Sequence, residues 1–107
     1  MNKYAIAITI KQKVAEHFGV TVAEIDSHSH DAKASHARHI SRYFVKELTP
    51  LSNMEIACLI QFGHRTAVHR SWKLITGFCE VNTKFRLEML MLRATMTKII
   101  LSDKTNV

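Results

Sequence analysis

The chain has 107 residues, with 15 Lys and Arg against 9 Asp and Glu, a formal net charge of +6 and 47% hydrophobic residues. This length fits one domain spanning residues 1–107, and the hydrophobic content excludes a disordered tail. The positive balance favours an anionic partner, of which double-stranded DNA is the first candidate. Two cysteines without a CxxC spacing, and a start too poor in apolar residues for a signal peptide or a membrane span, predict a cytoplasmic protein with no membrane partner.

Hydrophobic spacing and capping signals predict an all-α domain of about five to six helices. The first helix ends near Phe18, before a glycine C-cap at Gly19, and residues 4–8 either extend it or form an arm. A capping box over residues 21–24 starts a short helical turn, and a longer helix begins near Asp31. The apolar arc expected to face the core on this longer helix consists of Ala37, Ile40, Ser41, Phe44, Val45 and Leu48.

A stripe of three cations lies beside that arc. Arg38, Arg42 and Lys46 recur every four residues. A charged stripe is usually a solvated face, but such a face ordinarily intersperses carboxylates for pairing, and only Glu47 lies nearby. We therefore predict that the three cations contact DNA, with Arg42 and Lys46 on phosphates.

The next two helices form a predicted helix-turn-helix over about residues 53–77. A capping box over residues 52–55 starts a helix that spans roughly 53–61, and a short connection containing Gly63 leads into the second helix. The second helix has an apolar stripe made of Val68, Trp72, Ile75 and Cys79. We assign Trp72 to the core, and we interpret Cys58 and Cys79 as small core residues.

The opposite side of the second helix is polar and basic, as a recognition helix in the major groove requires. An arginine there can donate two parallel hydrogen bonds to guanine. The predicted contacting residues on this arc are Thr66, His69, Arg70 and Lys73, with Arg65 near the first turn.

The last predicted helix spans about residues 82–100 and is apolar over a wide surface. Its main stripe runs from Phe85 to Ile99, and Leu87, Leu90 and Ile100 widen it. Most of this surface should pack on the helix-turn-helix, and a homodimer through the C-terminal helix is the alternative use of it. The final residues 102–107 are expected to fray.

Four segments carry a resemblance to a known family. They are VAEHFGVTVAEI, KELT, LSNMEIACLI and a T-x-V helix that ends in WKLI. Together they resemble the C-terminal DNA-binding domain of the bacterial replication initiator DnaA. The resemblance runs from about Ile10 to Leu92. It implies an all-helical, stand-alone domain that reads duplex DNA through its helix-turn-helix, with a loop in the minor groove and a role in replication initiation or its regulation. Without a phosphate loop in the sequence, we expect no nucleotide partner.

The resemblance also carries over individual residues. It places Lys46 near the DNA backbone, His30 at the position of the minor-groove arginine, and Thr66 at the first threonine of the family's RDHTT signature. The rest of that signature differs, because Gly63, His64, Arg65 and Ala67 stand where the family has arginine, aspartate, histidine and the second threonine. The resemblance therefore implies that His64 and Ala67 also lie at the DNA, on a site altered from the family's usual box.

The sequence also bears on three other functions. A metal site from His28, His30, His36 and His39 is less simple than histidines that face solvent or phosphate, so no metal or cofactor is predicted. No activated nucleophile or acid–base pair supports an enzyme. A protein-interaction module that has lost specific DNA recognition is the main alternative. If DNA is bound, protonation of the histidines should tighten binding toward pH 6.

Overall fold

The computed structural model of the chain describes residues 1–105, with side chains through Ser102, and this part of the chain is all helical apart from short connections. The prediction of an all-α domain with five to six helices is confirmed. The helices are α1 (Lys3–Phe18), α2 (Val22–Asp26), α3 (Ala32–Leu48), α4 (Asn53–Leu59), α5 (Arg65–Val81) and α6 (Thr83–Thr105). Helix α6 thus includes residues 102–105, for which fraying was predicted, whereas residues 106 and 107 lie outside the described residues.

Local capping determines where the helices begin and end. The Asn2 side chain accepts the N–H of Ala5, which starts α1 early enough to include residues 4–8. Gly19 ends α1 in the left-handed conformation at φ 68°, as its predicted role as a C-cap requires. Both predicted capping boxes are present, at residues 21–24 for α2 and at residues 52–55 for α4.

Helix α3 is the centre of the packing. It packs against α1, α2, α4 and α5, whereas α6 packs mainly on α5 and α1. The core around α3 consists largely of aliphatic side chains, and its largest fully buried members include Phe44, Ile10, Ile25, Ile40, Ile56 and Ile75. The predicted apolar arc of α3 is buried except for Leu48, which is half-buried against the core.

The turn of the helix-turn-helix is longer than predicted, because it spans residues 60–64 instead of 62–64. Helix α4 ends at Leu59, two residues before the expected limit, because Ile60 is extended at φ −127°, and Gln61 then adopts a left-handed φ of 49°. The N–H of Gly63 then donates to the Ala57 carbonyl oxygen at 3.1 Å. A Cβ atom at Gly63 would lie 3.2 Å from the carbonyl oxygen of Gln61, so glycine suits this close approach. Helix α5 follows and runs to Val81, four residues past the expected end of the motif.

Two assignments to the core are wrong. Trp72 is only partly buried, because the buried face of α5 is centred on Val68, Ser71 and Ile75 and therefore turns away from Trp72. Its indole N–H lies at the rim, 3.5 Å from the Glu47 carboxylate. Cys58 is exposed, whereas Cys79 is half-buried against the core.

None of the helices in the described part of the chain combines the length and the apolar content that crossing a membrane requires.

Candidate nucleic-acid interface

The N-terminal half of α5 presents an exposed polar surface. Most of the side chains that the sequence assigned to DNA contact are solvent-exposed there, and Ala67 is half-buried between them. The exposed members are His64, Arg65, Thr66, His69, Arg70 and Lys73. We call these seven residues the recognition face. The chain contains no Asp or Glu between Gln61 and Cys79, so no carboxylate of α5 itself neutralises this face.

The N-terminus of α5 differs from those of the four helices before it. Side chains accept hydrogen bonds from first-turn amides in α1, α2, α3 and α4, and Asp31 does so for α3. Among the described residues, His64 at the N-cap of α5 makes no such side-chain hydrogen bond. The amides of the first turn and the helix dipole therefore make this end of α5 electropositive and suited to a phosphate.

The loop between α2 and α3, residues 27–31, carries two exposed histidines, His28 and His30. The loop is ordered by its own serines, since Ser27 Oγ accepts the N–H of Ser29 at 3.2 Å and Ser29 Oγ accepts the N–H of Asp31 at 3.1 Å. We call residues 27–31 the histidine loop. His30, which the resemblance placed in the minor groove, is free of the core and faces solvent.

Arg38 does not belong to an exposed stripe, and that prediction is wrong. Its side chain is buried because it reaches across to the carbonyls that end α2 and shape the histidine loop. Arg38 Nε donates to the Ile25 oxygen at 2.6 Å, and its terminal nitrogens donate to the oxygens of Glu24 at 3.1 Å and Ser29 at 3.4 Å. Burial lowers the pKa of Arg38, and nearby Asp26 partly opposes this shift. Arg38 thus fastens the histidine loop to α3 and does not face DNA.

Arg42 is also buried, which corrects the prediction that it contacts phosphates. One terminal nitrogen donates to Ser71 Oγ at 3.2 Å and the other donates to Gln61 Oε1 at 2.8 Å. Burial, followed by the charge of Arg38, lowers the pKa of Arg42 to about 10, so the guanidinium remains charged at neutral pH. Among the described residues, its Nε has no hydrogen-bond partner. Arg42 thus joins α3 to both α5 and the turn.

His39 completes the polar contact between α3 and α5. Its Nδ1 lies 2.8 Å from Ser71 Oγ, the same hydroxyl that Arg42 contacts. Burial lowers the pKa of His39, and the charges of Arg42, Arg38 and His36 lower it further. Burial and the neighbouring charges therefore favour the neutral imidazole behind the recognition face.

Lys46 is the member of the predicted stripe that keeps contact with solvent. It is half-buried, and its Nζ donates to Asn53 Oδ1 at 2.7 Å, which joins the end of α3 to the start of α4. The ammonium group therefore lies beside the first helix of the helix-turn-helix, where a backbone phosphate could be reached.

A polar network that the sequence did not reveal connects the turn to the histidine loop. Gln61 Nε2 donates to the Ser27 carbonyl oxygen at 2.7 Å, and the Gln61 N–H donates to Asp26 Oδ1 at 3.2 Å. Asp26 also pairs with the buried Lys11 Nζ at 2.8 Å, and Lys11 donates to the Leu59 carbonyl oxygen at 2.7 Å. These partners are 15 to 48 residues apart in sequence, so no local spacing marks them.

The histidines considered for a metal site point to different surroundings. His36 contacts the rings of Phe18 and Phe85, and His39 faces Ser71. In the part of the chain that the structure describes, no three His, Cys, Asp or Glu side chains are grouped so that they could hold a metal ion.

The comparisons with known proteins agree with this geometry. The bacterial dnaA protein helix-turn-helix family matches residues 8–75, well over half of the chain, and the match ends within α5, so α6 lies outside it. No curated protein sequence matches the chain. The family is one of DNA-binding helix-turn-helix domains. The fold, the exposed recognition face and the length of this match together show that the chain belongs to the helix-turn-helix family of bacterial dnaA proteins.

Proposed function

We propose that the chain binds duplex DNA with the N-terminal half of α5 in the major groove. The observation that carries this proposal is the recognition face itself, where exposed cationic and hydrogen-bonding side chains surround an N-terminus of α5 without a side-chain cap. Base edges in the major groove present donors and acceptors to such side chains, and the electropositive helix end suits a backbone phosphate.

The residues divide into base-contacting and backbone-contacting groups. Thr66, His69, Arg70 and Lys73 follow the three- and four-residue spacing of one helix face, so they can reach successive base pairs. Arg70 is suited to a bidentate contact with guanine. Lys46, beside α4, is suited to a phosphate contact that positions the domain without reading sequence.

The histidine loop is the second contact. Its exposed His30 is tied indirectly to α3 by Arg38 and to the turn by Gln61, so the loop has a fixed place relative to α5. We propose that His30 enters the minor groove next to the major groove that α5 occupies. An imidazole brings fewer hydrogen-bond donors to this contact than the guanidinium of an arginine would.

The proposed DNA site differs from the usual box of the family. Ala67 offers neither a hydroxyl group nor an amide, and His64 and Arg65 bring donors where the family signature has aspartate and histidine. Arginine favours guanine, whereas a carboxylate accepts a hydrogen bond from cytosine. We therefore expect a preferred site in which at least one cytosine-directed contact is lost.

We further propose that the DNA-bound chain acts in replication initiation or in its regulation. The family match supports this role, since an initiator-like domain that occupies origin DNA would compete with, or assist, an initiator at neighbouring boxes. Footprinting of the purified protein on an origin fragment that carries initiator boxes tests the role. Protection at or beside the boxes is expected, and protection confined to DNA without them would contradict it.

Selection from a random duplex library tests DNA binding directly. The purified protein should enrich a discrete motif, and Arg70→Ala should lose that enrichment. Arg86→Ala is the matched control, because Arg86 is an exposed arginine on α6, outside the helix-turn-helix. Retention of duplexes without any enriched motif would leave only a nonspecific basic surface, and no retention at low salt would overturn the proposal.

A further inference from the structure

Helix α6 carries two apolar stripes on nearly opposite sides. The inner stripe packs into the core and includes Met89, Leu92 and Met96, all of which are buried. At about 100° per residue, the second stripe is centred about 150° away from the first. It consists of Leu87, Leu90, Ala94, Thr97 and Leu101, and we call it the outer face of α6.

The outer face is exposed and has the spacing of a helix-pairing seam. Leu87, Leu90 and Leu101 are each 54% exposed, and the five positions alternate three- and four-residue steps as the a and d positions of a heptad do. A shallow depression of about 650 Å³ follows this face past Ala94. Large apolar side chains at this spacing on one exposed face mark a surface that another helix can cover.

A smaller cavity adjoins the outer face and offers an anchor point. It measures about 190 Å³, lies between α3, α5 and α6, and shares Leu90 and Arg93 with the shallow depression. Tyr43, Phe44 and Met89 form much of its apolar wall. Binding energy concentrates where one large side chain fills such a pocket at the centre of an interface.

The charges beside the outer face select the partner. On a helical projection, Arg86 and Arg93 lie along one edge, and Lys84 and Lys98 lie along the other. Arg93 already contacts Glu47 at 3.6 Å, whereas Lys84 and Lys98 have no ion pair within the described residues. Both edges are therefore basic.

These charges argue against a second copy of this chain as the occupant. In a parallel pair Arg93 would face Lys98 of the other copy, and an antiparallel pair would place basic edge against basic edge. Two copies would also each bring a formal net charge of +6. Like charges at such flanking positions oppose pairing, and carboxylates there favour it. The homodimer suggested by the sequence is thus the less favoured use of α6.

We propose that the outer face of α6 binds an amphipathic helix of another protein, one whose apolar stripe is bordered by carboxylates. The site is separate from the recognition face, because α6 contacts the C-terminal end of α5. There Phe78 packs against Phe85, and Arg86 donates to the Cys79 carbonyl oxygen. The N-terminal half of α5 stays free, so the partner helix and DNA can be held at the same time. The proposal therefore does not depend on DNA binding.

Three synthetic peptides of equal length test the proposal. The first has Leu at heptad positions a and d and Glu at e and g, which also keeps the free peptide monomeric by repulsion. The second replaces Glu by Lys, and the third keeps Glu but replaces Leu by Ser. Titration of each labelled peptide with the intact chain, followed by fluorescence anisotropy, should show saturable binding of the first peptide alone.

Variants of the chain then locate the binding site. Leu90→Glu and Ala94→Glu place a charge in the outer face at exposed positions, so they should abolish binding while the helical circular dichroism is unchanged. Lys98→Glu should weaken binding about tenfold. Lys33→Glu, which makes the same charge change at an exposed lysine of α3, is the control and should have no effect.

Several outcomes would overturn the proposal. These are equal binding of the Glu and Lys peptides, binding of neither, or loss of binding through Lys33→Glu but not through Lys98→Glu. Sedimentation of the chain alone tests whether the chain forms a homodimer through α6. A dimer that Leu90→Glu converts to a monomer would show that a second copy occupies the outer face instead.

Discussion

The side chain of Gln61 donates a hydrogen bond to the backbone carbonyl oxygen of Ser27 across 2.7 Å, and this contact joins two segments that lie 34 residues apart. One segment is the turn of the helix-turn-helix, and the other is the histidine loop. The same amide accepts a hydrogen bond from the buried Arg42 at 2.8 Å. The two surfaces proposed to touch DNA are therefore held in one fixed arrangement by a residue that need not touch DNA itself.

Gln61→Gly should separate the role of this contact from the stability of the fold. Glycine relieves the backbone cost of φ 49°, but it leaves the buried Arg42 guanidinium and the Ser27 carbonyl oxygen without their partner, so the free energy of unfolding should fall by about 1 to 2 kcal/mol. DNA affinity should fall by about 1 kcal/mol, because the loop must then be ordered on binding. Urea unfolding and DNA titration measure the two effects. An unchanged affinity would show that the loop needs no tether to the turn.

Arg70→Ala should weaken binding to the selected DNA site by about 1 to 3 kcal/mol if Arg70 makes a bidentate base contact. The same change should alter binding to an unrelated duplex much less, since sequence-independent binding depends on phosphate contacts. Parallel titrations of the selected and unrelated duplexes give both values. Arg86→Ala should leave both unchanged, and equal losses on the two duplexes would assign Arg70 to the backbone.

Arg38→Ala should destabilise the fold by about 2 to 3 kcal/mol, because it leaves the carbonyl oxygens of Ile25, Glu24 and Ser29 without their charged donor. Arg65→Ala is the matched control, since Arg65 is exposed on α5, and its effect should stay within about 0.5 kcal/mol. Urea unfolding measures both variants. Equal stability of the two would mean that water replaces the Arg38 contacts at no cost.

The free energy of unfolding should decrease as pH falls below neutral. The pKa of His39 is lowered in the folded protein, so the folded state binds fewer protons than the unfolded chain below about pH 6.5. The stability contribution is fully present above that value and is lost as pH falls through the lowered pKa. His39→Gln should reduce the loss of stability between pH 7.5 and pH 5.5. His64→Gln, an exposed control, should retain the full loss.

The parts of the fold that depend on residues close together in sequence could be predicted from the sequence. Both capping boxes and the Gly19 cap involve residues within three or four positions of each other, so the chain specifies them locally. Exposure of the recognition face could also be predicted, because one amphipathic helix fixes which side is polar. The family resemblance added the identity of the motif.

The errors concern residues whose surroundings come from distant segments. The four-residue spacing of Arg38 and Arg42 correctly placed them on one face of α3, but α2, the turn and α5 cover that face. The stripe that Trp72 shares with Val68 and Ile75 predicts a core position for it, whereas the buried neighbour is Ser71. The Ser71 hydroxyl meets His39 and Arg42, which lie 29 to 32 residues away in sequence. At these sites, hydrogen bonds to distant segments determine which side chains are buried, and the hydrophobic spacing does not.

The unequal attachment of the helices has a consequence for hydrogen exchange. Helix α3 packs against four other helices, whereas α6 packs mainly on α5 and α1. Amides in α6 should therefore exchange through a partial opening that leaves the first five helices folded, and the central amides of α3 should exchange only when the whole domain unfolds. A ligand held on α6 would slow exchange in that helix while the amides of α3 kept their rates, which would mark α6 as a unit of its own within the domain.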